Sequence, residues 1–142
     1  MIDKDFIQRK TALILIDLEH LTRFENLKIQ EIGQDFTTQA VVERLLERII
    51  GRSIDVNQHI IAECGGHLSE VKRYRDTFLR LVDLGIYPLP FAEELAKSVG
   101  LRNALVHEYN NLDPQLLQKS IGQAIKEFNE YTQFILVFAD KI

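Results

Sequence analysis

Apolar residues along this chain recur every three or four positions, which is the spacing of one face of an α-helix. In the clearest case, alternating steps of four and three residues separate Leu117, Ile121, Ala124, Phe128, Tyr131, Ile135 and Phe138. This heptad-like spacing is typical of a helical bundle or of a helix-mediated dimer contact. Long stretches of the remaining chain carry the same helical period rather than strand-like alternation, so the pattern predicts an all-α fold.

Glycine, proline and capping residues divide this pattern into about five helices. The predicted segments run from about Asp3 to Asn26, from near Asp35 to the Gly65-Gly66 pair, from Ser69 to Gly85, from about Phe91 toward Arg102, and from Asp113-Pro114 nearly to the end. Ser69 with Glu70 offers an N-cap and an acidic first turn, and Asp113-Pro114 combines a capping carboxylate with proline at the first helical position. Gly100 interrupts the fourth segment, which predicts a kink or a close approach of another backbone.

The length and composition of the chain favour one globular unit. A chain of 142 residues with 46% hydrophobic composition is long enough to bury a core. We find no linker, low-complexity tract or long repeat, so residues 1–142 are predicted to form a single domain. Cys64 is the only cysteine, no signal sequence opens the chain, and no apolar run is long enough for a membrane span. We therefore expect a cytoplasmic protein without a membrane partner.

The formal net charge of −4 argues against the wholesale coating of nucleic acid that a strongly basic domain provides. Any contact with RNA must then be local, and two basic clusters are candidates: Arg44, Arg48 and Arg52, and Lys72, Arg73 and Arg75. Members of the first cluster are four residues apart and line one helix face. Acidic neighbours in the sequence also fit a solvated helix face of mixed charge, so both interpretations stay open.

The richest chemistry lies in the octapeptide Arg102-Asn103-Ala104-Leu105-Val106-His107-Glu108-Tyr109. Arginine binds phosphate through a planar guanidinium, and histidine exchanges protons near neutral pH, so Arg102 and His107 are candidates for cleaving RNA. On one straight helix they lie about 140° apart, which disfavours their convergence. Either the arginine reaches around the helix, or a two-fold axis brings Arg102 of one subunit to His107 of the other, and we favour the second hypothesis.

The segment from Gly100 to Tyr109 resembles the signature of the HEPN superfamily. Together with Tyr74-Arg75-Asp76-Thr77-Phe78 and the proline-containing turn that follows, it is similar to the HepT-like toxin branch. The resemblance implies a homodimeric helical bundle that dimerises through the motif-bearing helices. It also implies a toxin, encoded beside a minimal nucleotidyltransferase antitoxin, that is a metal-independent endoribonuclease and needs no cofactor for cleavage.

The resemblance further implies a role for each motif residue. Arg102 would hold the scissile phosphate, and His107 would move protons to or from the ribose 2′-hydroxyl and the 5′-leaving oxygen. Asn103 would position phosphate or imidazole. Tyr109 would accept AMP that the nucleotidyltransferase transfers from ATP, which adds charge and bulk where substrate phosphate must bind. Because the attacking 2′-hydroxyl exists only in RNA, a cyclic phosphate product and no cleavage of DNA are expected.

Other interpretations of the sequence compete with this one. The leading alternative is a noncatalytic HEPN module that binds nucleotide or regulates a partner nucleotidyltransferase, and a structural dimerisation domain is a third. His59, Cys64 and His67 lack a fourth ligand and match no closed zinc site, so no metal site is predicted. Whether the RNA substrate is tRNA or mRNA is left open.

Overall fold

The structure, a computed structural model, describes residues 1–65, 71–107 and 113–142, without the side chains of Val106 and His107. Within these ranges the chain forms six helices: α1 (Lys4–Thr22), α2 (Ile29–Gln34), α3 (Phe36–Glu63), α4 (Tyr74–Asp83), α5 (Leu89–His107) and α6 (Pro114–Asp140). The described ranges contain no strand. The predicted all-α fold is confirmed.

Carboxylate caps fix the starts of three of the long helices, α1, α3 and α6. The side chain of Asp3 accepts a hydrogen bond from the backbone N–H of Phe6, and Asp35 accepts from the first turn of α3 in the same way. Asp113 accepts from the backbone N–H of Gln115 at 3.0 Å. Each cap satisfies donors that have no partner inside the helix, and the starts predicted near Asp35 and at Asp113-Pro114 are confirmed.

Several other boundaries differ from the prediction. The first helix ends at Thr22 rather than near Asn26, and α2 follows as a sixth helix that the pattern missed. A helix of six residues is too short for a hydrophobic period to be recognised. Helix α4 begins at Tyr74, and Arg73 occupies its N-cap position without a capping hydrogen bond from the side chain. The predicted cap, Ser69, lies outside the described residues.

Helix α5 begins at Leu89 and runs through Gly100 to His107, so the interruption predicted at Gly100 was wrong. A Cβ added at Gly100 would meet no described heavy atom within 4 Å, which shows that no backbone of the described chain approaches it closely. The helix remains intact because its other side, which includes Leu95 and Leu105, is buried in the core. Gly100 instead leaves open space on the helix surface.

Helix α3 packs against all the other helices and lies at the centre of one hydrophobic core. Helix α6 packs along α1, and its heptad positions face inward. Six of the seven are buried and Phe138 is partly buried. The heptad pattern therefore serves the bundle itself, and a dimer contact must use another face. In the described part of the chain, no helix has both the length and the apolarity that a bilayer crossing requires.

Candidate functional site

Arg102 extends from α5 toward two neighbouring helices. Its guanidinium carbon lies 5.3 Å from the centroid of the Tyr74 ring, at the start of α4. On the α3 side, a Cβ added at Gly51 would lie 4.0 Å from the Nε of Arg102. The glycine therefore leaves room for the arginine against α3. A cation over an aromatic face gains about 0.5–1 kcal/mol where exposed, and more where it is desolvated.

The Nε of Arg102 is buried and makes no hydrogen bond to any atom that the structure describes. A buried donor without a partner is costly, and such groups are concentrated at functional sites. The cation–π contact with Tyr74 occupies no hydrogen-bond donor, so the N–H groups of the guanidinium can still reach an anion. The arrangement is suited to holding a phosphate.

A buried chain of hydrogen bonds fixes the first turn of α4, which carries Tyr74. In α6, the hydroxyl of Tyr131 donates to Oδ1 of Asn57 at 2.5 Å. The Nδ2 of Asn57 donates to Oγ1 of Thr77 at 3.1 Å, and this hydroxyl donates to the carbonyl of Tyr74 at 2.7 Å. Burial raises the pKa of Tyr131 well above its ordinary value, so its phenol stays protonated and able to donate.

A groove of about 1040 Å³ lies beside this site, between α4 and α5. We name it the α4–α5 groove. Exposed cations surround it: Lys72, Arg73, Arg75 and Lys97. Apolar side chains that are buried or partly buried also line it: Leu79, Ala96 and Val99. The exposed Asn103 lines the same groove, so the structure brings the second basic cluster and one motif residue together.

The first basic cluster lies elsewhere, on α3, and takes part in ion pairs. The Nη1 of Arg52 lies 2.6 Å from Oδ2 of Asp17, and the Nε of Arg48 lies 3.2 Å from the same oxygen. The Asp17 side chain is only 2% exposed, and a buried carboxylate is tolerated only where cations compensate its charge. Arg44 pairs with Glu47 at 3.1 Å. Arg48 and Arg52 thus connect α3 to α1.

The second half of the octapeptide is only partly described. His107 is the last residue of α5, with its side chain outside the described atoms, and Tyr109 lies outside the described residues. Because α5 is continuous from Arg102 to His107, the angular separation of about 140° that the sequence predicted applies to the folded chain.

Of the three residues weighed as zinc ligands, His59 has a structural role. The Nε2 of His59 accepts a hydrogen bond from the backbone N–H of Asp3 at 3.0 Å, and its ring packs 4.8 Å from that of Phe6. Burial raises the pKa of the Cys64 thiol, and His67 lies outside the described residues. Within the described ranges, no three His, Cys, Asp or Glu side chains are grouped so that they could hold a metal ion.

Sequence reasoning did not identify Tyr74 as a site residue. The residue is 45% exposed, and its ring contacts the guanidinium of Arg102. The available signal was its context, because Tyr74 stands between Arg73 and Arg75 at the start of a helix. An aromatic residue flanked by cations at a helix end is a candidate for contact with a ligand.

The chain is similar to known ribonucleases. Residues 14–135 match the family model described as Ribonuclease HepT-like. The tRNA nuclease HepT of Aphanizomenon flos-aquae is 34% identical over 137 residues, which cover 94% of this chain and 90% of that protein. The mRNA nuclease HepT of Shewanella oneidensis is 30% identical over 105 residues, which cover 74% of this chain and 77% of that protein.

Solved toxin-antitoxin structures share this fold. A crystal structure of a toxin-antitoxin with AMP-PNP superposes with a TM-score of 0.83 at 27% identity, covering 94% of this chain and 98% of that chain. The tri-AMPylated Shewanella oneidensis HEPN toxin in complex with MNT antitoxin gives a TM-score of 0.80 at 27% identity, with the same coverage. The six helices therefore have the arrangement of a HEPN toxin.

Proposed function

We propose a function from one premise: this chain belongs to the ribonuclease HepT-like family. The chain is an endoribonuclease and the toxin of a toxin-antitoxin pair whose antitoxin is a minimal nucleotidyltransferase. Relatives of similar length are named as RNA nucleases, and solved structures with this fold contain the MNT antitoxin. The observation that carries the proposal is the position of Arg102, which is held against Tyr74 beside a basic groove.

In the proposed reaction, Arg102 binds the scissile phosphate and stabilises the negative charge that develops on it. His107 accepts the proton of the ribose 2′-hydroxyl, whose oxygen attacks the phosphorus and forms a cyclic phosphate. The bond between the phosphorus and the 5′-oxygen breaks, and this leaving oxygen takes up a proton from the imidazolium of His107. Asn103, at the edge of the groove, positions the phosphate or the imidazole. Cleavage requires no metal and no other cofactor.

The separation of Arg102 and His107 around α5 supports a site shared between two subunits. Arg102 turns toward Tyr74 and Gly51, so it is directed by the contacts of its own subunit. A two-fold axis beside the end of α5 would bring His107 of the second subunit to the phosphate that Arg102 holds. The active species is then a homodimer that forms through the motif-bearing helices.

For RNA binding, the second basic cluster is the stronger candidate. Its members Lys72, Arg73 and Arg75 line the groove beside Arg102. The ion pairs of the first cluster, formed by Arg44, Arg48 and Arg52, favour a role in holding α3 to α1. RNA contact by that cluster stays a prediction, and loss of stability without loss of RNA affinity in an Arg48→Ala variant would argue against it.

The antitoxin is proposed to inactivate the toxin by transferring AMP from ATP to Tyr109. A phosphodiester-linked nucleotide two residues beyond His107 adds negative charge and bulk close to the site of the scissile phosphate. It therefore competes with RNA. One related toxin is described as tri-AMPylated in its complex with the MNT antitoxin, which supports this form of control.

Cleavage assays with matched histidine variants test the ribonuclease proposal. We expect His107→Ala to abolish cleavage of tRNA or mRNA, because the proposed reaction assigns the proton transfers to the imidazole of His107. His20→Ala is the control, since His20 is an exposed histidine on α1. Wild-type activity should survive EDTA, and a substrate with a 2′-deoxyribose at the cut should be resistant. Activity in His107→Ala equal to that of wild type would contradict the proposal and favour a noncatalytic module.

A further inference from the structure

We propose that the α4–α5 groove is a binding subsite for an unpaired nucleoside of single-stranded RNA, next to the phosphate that is cut. The inference rests on the proposed ribonuclease function and names how the substrate is held. The groove volume of about 1040 Å³ is sufficient for a nucleotide, since pockets for small ligands typically hold roughly 300–1,000 Å³. Three features of its lining support this occupant.

The first feature is an apolar surface inside the groove. Ala96 and Val99 are both buried on α5 and Leu79 is partly buried on α4, yet all three line the groove. A nucleobase presents flat apolar faces, and unpaired bases in protein complexes are commonly held against apolar or aromatic side chains. A base within the groove would remove its own faces from water and pack against these side chains.

The second feature is the charge of the groove. Four cations, Lys72, Arg73, Arg75 and Lys97, line it, against one carboxylate, Glu93. This local excess of positive charge contrasts with the formal net charge of −4 of the whole chain. Arg73 and Lys97 also form surface ion pairs within their own helical regions, and such exposed pairs are weak enough for a phosphate to compete with them. The cations and apolar side chains of the groove together match a polyanion with apolar bases.

The third feature is continuity with the catalytic motif. Glu93, Ala96, Gly100 and Asn103 line the groove at spacings of three, four and three residues, so they lie along one face of α5. Asn103 follows Arg102 directly in the sequence. Tyr74, whose ring contacts the guanidinium of Arg102, also lines the groove. An RNA strand whose phosphate is bound by Arg102 therefore places its neighbouring nucleoside at the groove.

Gly100 gives a direct way to test this occupant. It lies on the groove face of α5, and a Cβ added there meets no described heavy atom within 4 Å. Leucine favours helix more than glycine does, and we expect the side chain of Gly100→Leu to occupy groove space. Gly122 is the matched control because it is also an exposed helical glycine with open space around it, on α6.

The experiment measures binding of a short, unstructured, fluorescently labelled oligoribonucleotide by anisotropy, using dimers that carry His107→Ala so that the RNA stays intact. Gly100→Leu is expected to weaken binding about tenfold, which is the loss typical of one base contact, while Gly122→Leu changes it less than about twofold. In the His107-containing enzyme, Gly100→Leu should raise KM for the same RNA. Lys97→Gln tests the charge of the groove without added volume and should also weaken binding.

Equal RNA affinity of Gly100→Leu, Gly122→Leu and the parent dimer overturns the inference. The inference is also overturned if Gly100→Leu loses the dimer, as measured by size-exclusion chromatography with light scattering. It is overturned as well if this variant loses antitoxin binding while its RNA affinity is unchanged. The groove would then hold a second copy or the antitoxin. If the proposed function itself is wrong, the outcome is different, because His107→Ala would then leave cleavage unchanged. Cleavage that requires His107 but is indifferent to Gly100→Leu rejects only the subsite.

Discussion

The guanidinium of Arg102 rests on the ring of Tyr74, with 5.3 Å between its central carbon and the ring centroid. The arginine belongs to α5 and the tyrosine to α4, while the carbonyl of Tyr74 is tied through Thr77 to Asn57 on α3. The guanidinium of Arg102 is therefore positioned by packing among three helices and not by its own helix alone. This relationship makes Tyr74 a positioning residue for the proposed reaction.

Removal of the Tyr74 ring should impair the reaction. Tyr74→Ala is expected to lower kcat/KM about tenfold, because the loss of a partly desolvated cation–π contact costs about 1.4 kcal/mol and frees Arg102 to sample other rotamers. Tyr74→Phe keeps the ring and should retain activity within about twofold. Initial rates of RNA cleavage measure both effects, with thermal unfolding of each variant as a check of the fold.

Gly51 provides an independent check of the same relationship from the α3 side. Gly51→Ala places a Cβ at ordinary contact distance from Arg102 Nε and should be tolerated, whereas Gly51→Leu should displace the arginine and lower kcat. Full activity in both Tyr74→Ala and Gly51→Leu would show that Arg102 acts independently of these contacts.

Subunit mixing tests the shared site. Arg102→Ala and His107→Ala dimers should each be inactive, but mixed dimers contain one site with both residues intact. Random mixing makes half of the dimers mixed, each with one working site of two, so activity should recover to about a quarter of the wild-type value. No recovery, in a mixture whose subunit exchange is verified by mass spectrometry, would place Arg102 and His107 of the same subunit in one site.

Salt dependence distinguishes a phosphate contact at Arg75 from a general effect of charge. Arg75→Gln should weaken RNA binding and reduce the slope of log K against log salt by about one, as for loss of one phosphate contact. Arg9→Gln is the matched control, because Arg9 is an exposed arginine on α1, away from the groove. Binding curves at several salt concentrations measure the slopes, and equal slopes for the two variants would remove Arg75 from the RNA contacts.

Modification by the antitoxin can be read from the mass of the toxin. Toxin coexpressed with its minimal nucleotidyltransferase antitoxin should carry one or more adenylyl groups on Tyr109. The Tyr109→Phe variant should carry none and remain toxic. Tyr74→Phe is the control for an accessible tyrosine elsewhere and should still be modified. Unmodified Tyr109 in neutralised toxin would show that the antitoxin acts by another route.

The pH dependence of stability should reveal Glu127, which is half-buried on α6. Desolvation, followed by repulsion from Glu94, raises the pKa of Glu127 above its ordinary value of 4.5. The native state then holds the proton more tightly than the unfolded state, so its stability falls as pH rises from about the ordinary pKa through the raised one. Glu127→Gln should therefore raise the Tm at pH 7.

The same substitution should leave the Tm almost unchanged at pH 4, where Glu127 is largely protonated in both states. Thermal unfolding followed by circular dichroism across this range measures the difference. Glu19→Gln is the control, since Glu19 is an exposed carboxylate on α1. A Tm difference between wild type and Glu127→Gln that is the same at both pH values would contradict the raised pKa.

Local features of the fold were predictable from the sequence because their causes act within one or two helical turns. The helical period alone predicted the heptad positions of α6. One side-chain hydrogen bond accounts for the capping of α6 by Asp113. Chemistry and the resemblance to HEPN toxins point to Arg102 and His107 as catalytic residues, and this assignment stays a prediction. The interruption at Gly100 failed as a prediction because core packing outweighed the weak helix propensity of one glycine.

The sequence by itself thus determined the helical class, the long helices and the residues that carry the motif. The tertiary structure alone decided that Arg102 rests on Tyr74 and that Lys72, Arg73 and Arg75 line a groove at the motif. It also decided that Arg52 pairs with a buried aspartate 35 positions away. These contacts depend on how separate helices cross, and no local period or cap specifies that geometry.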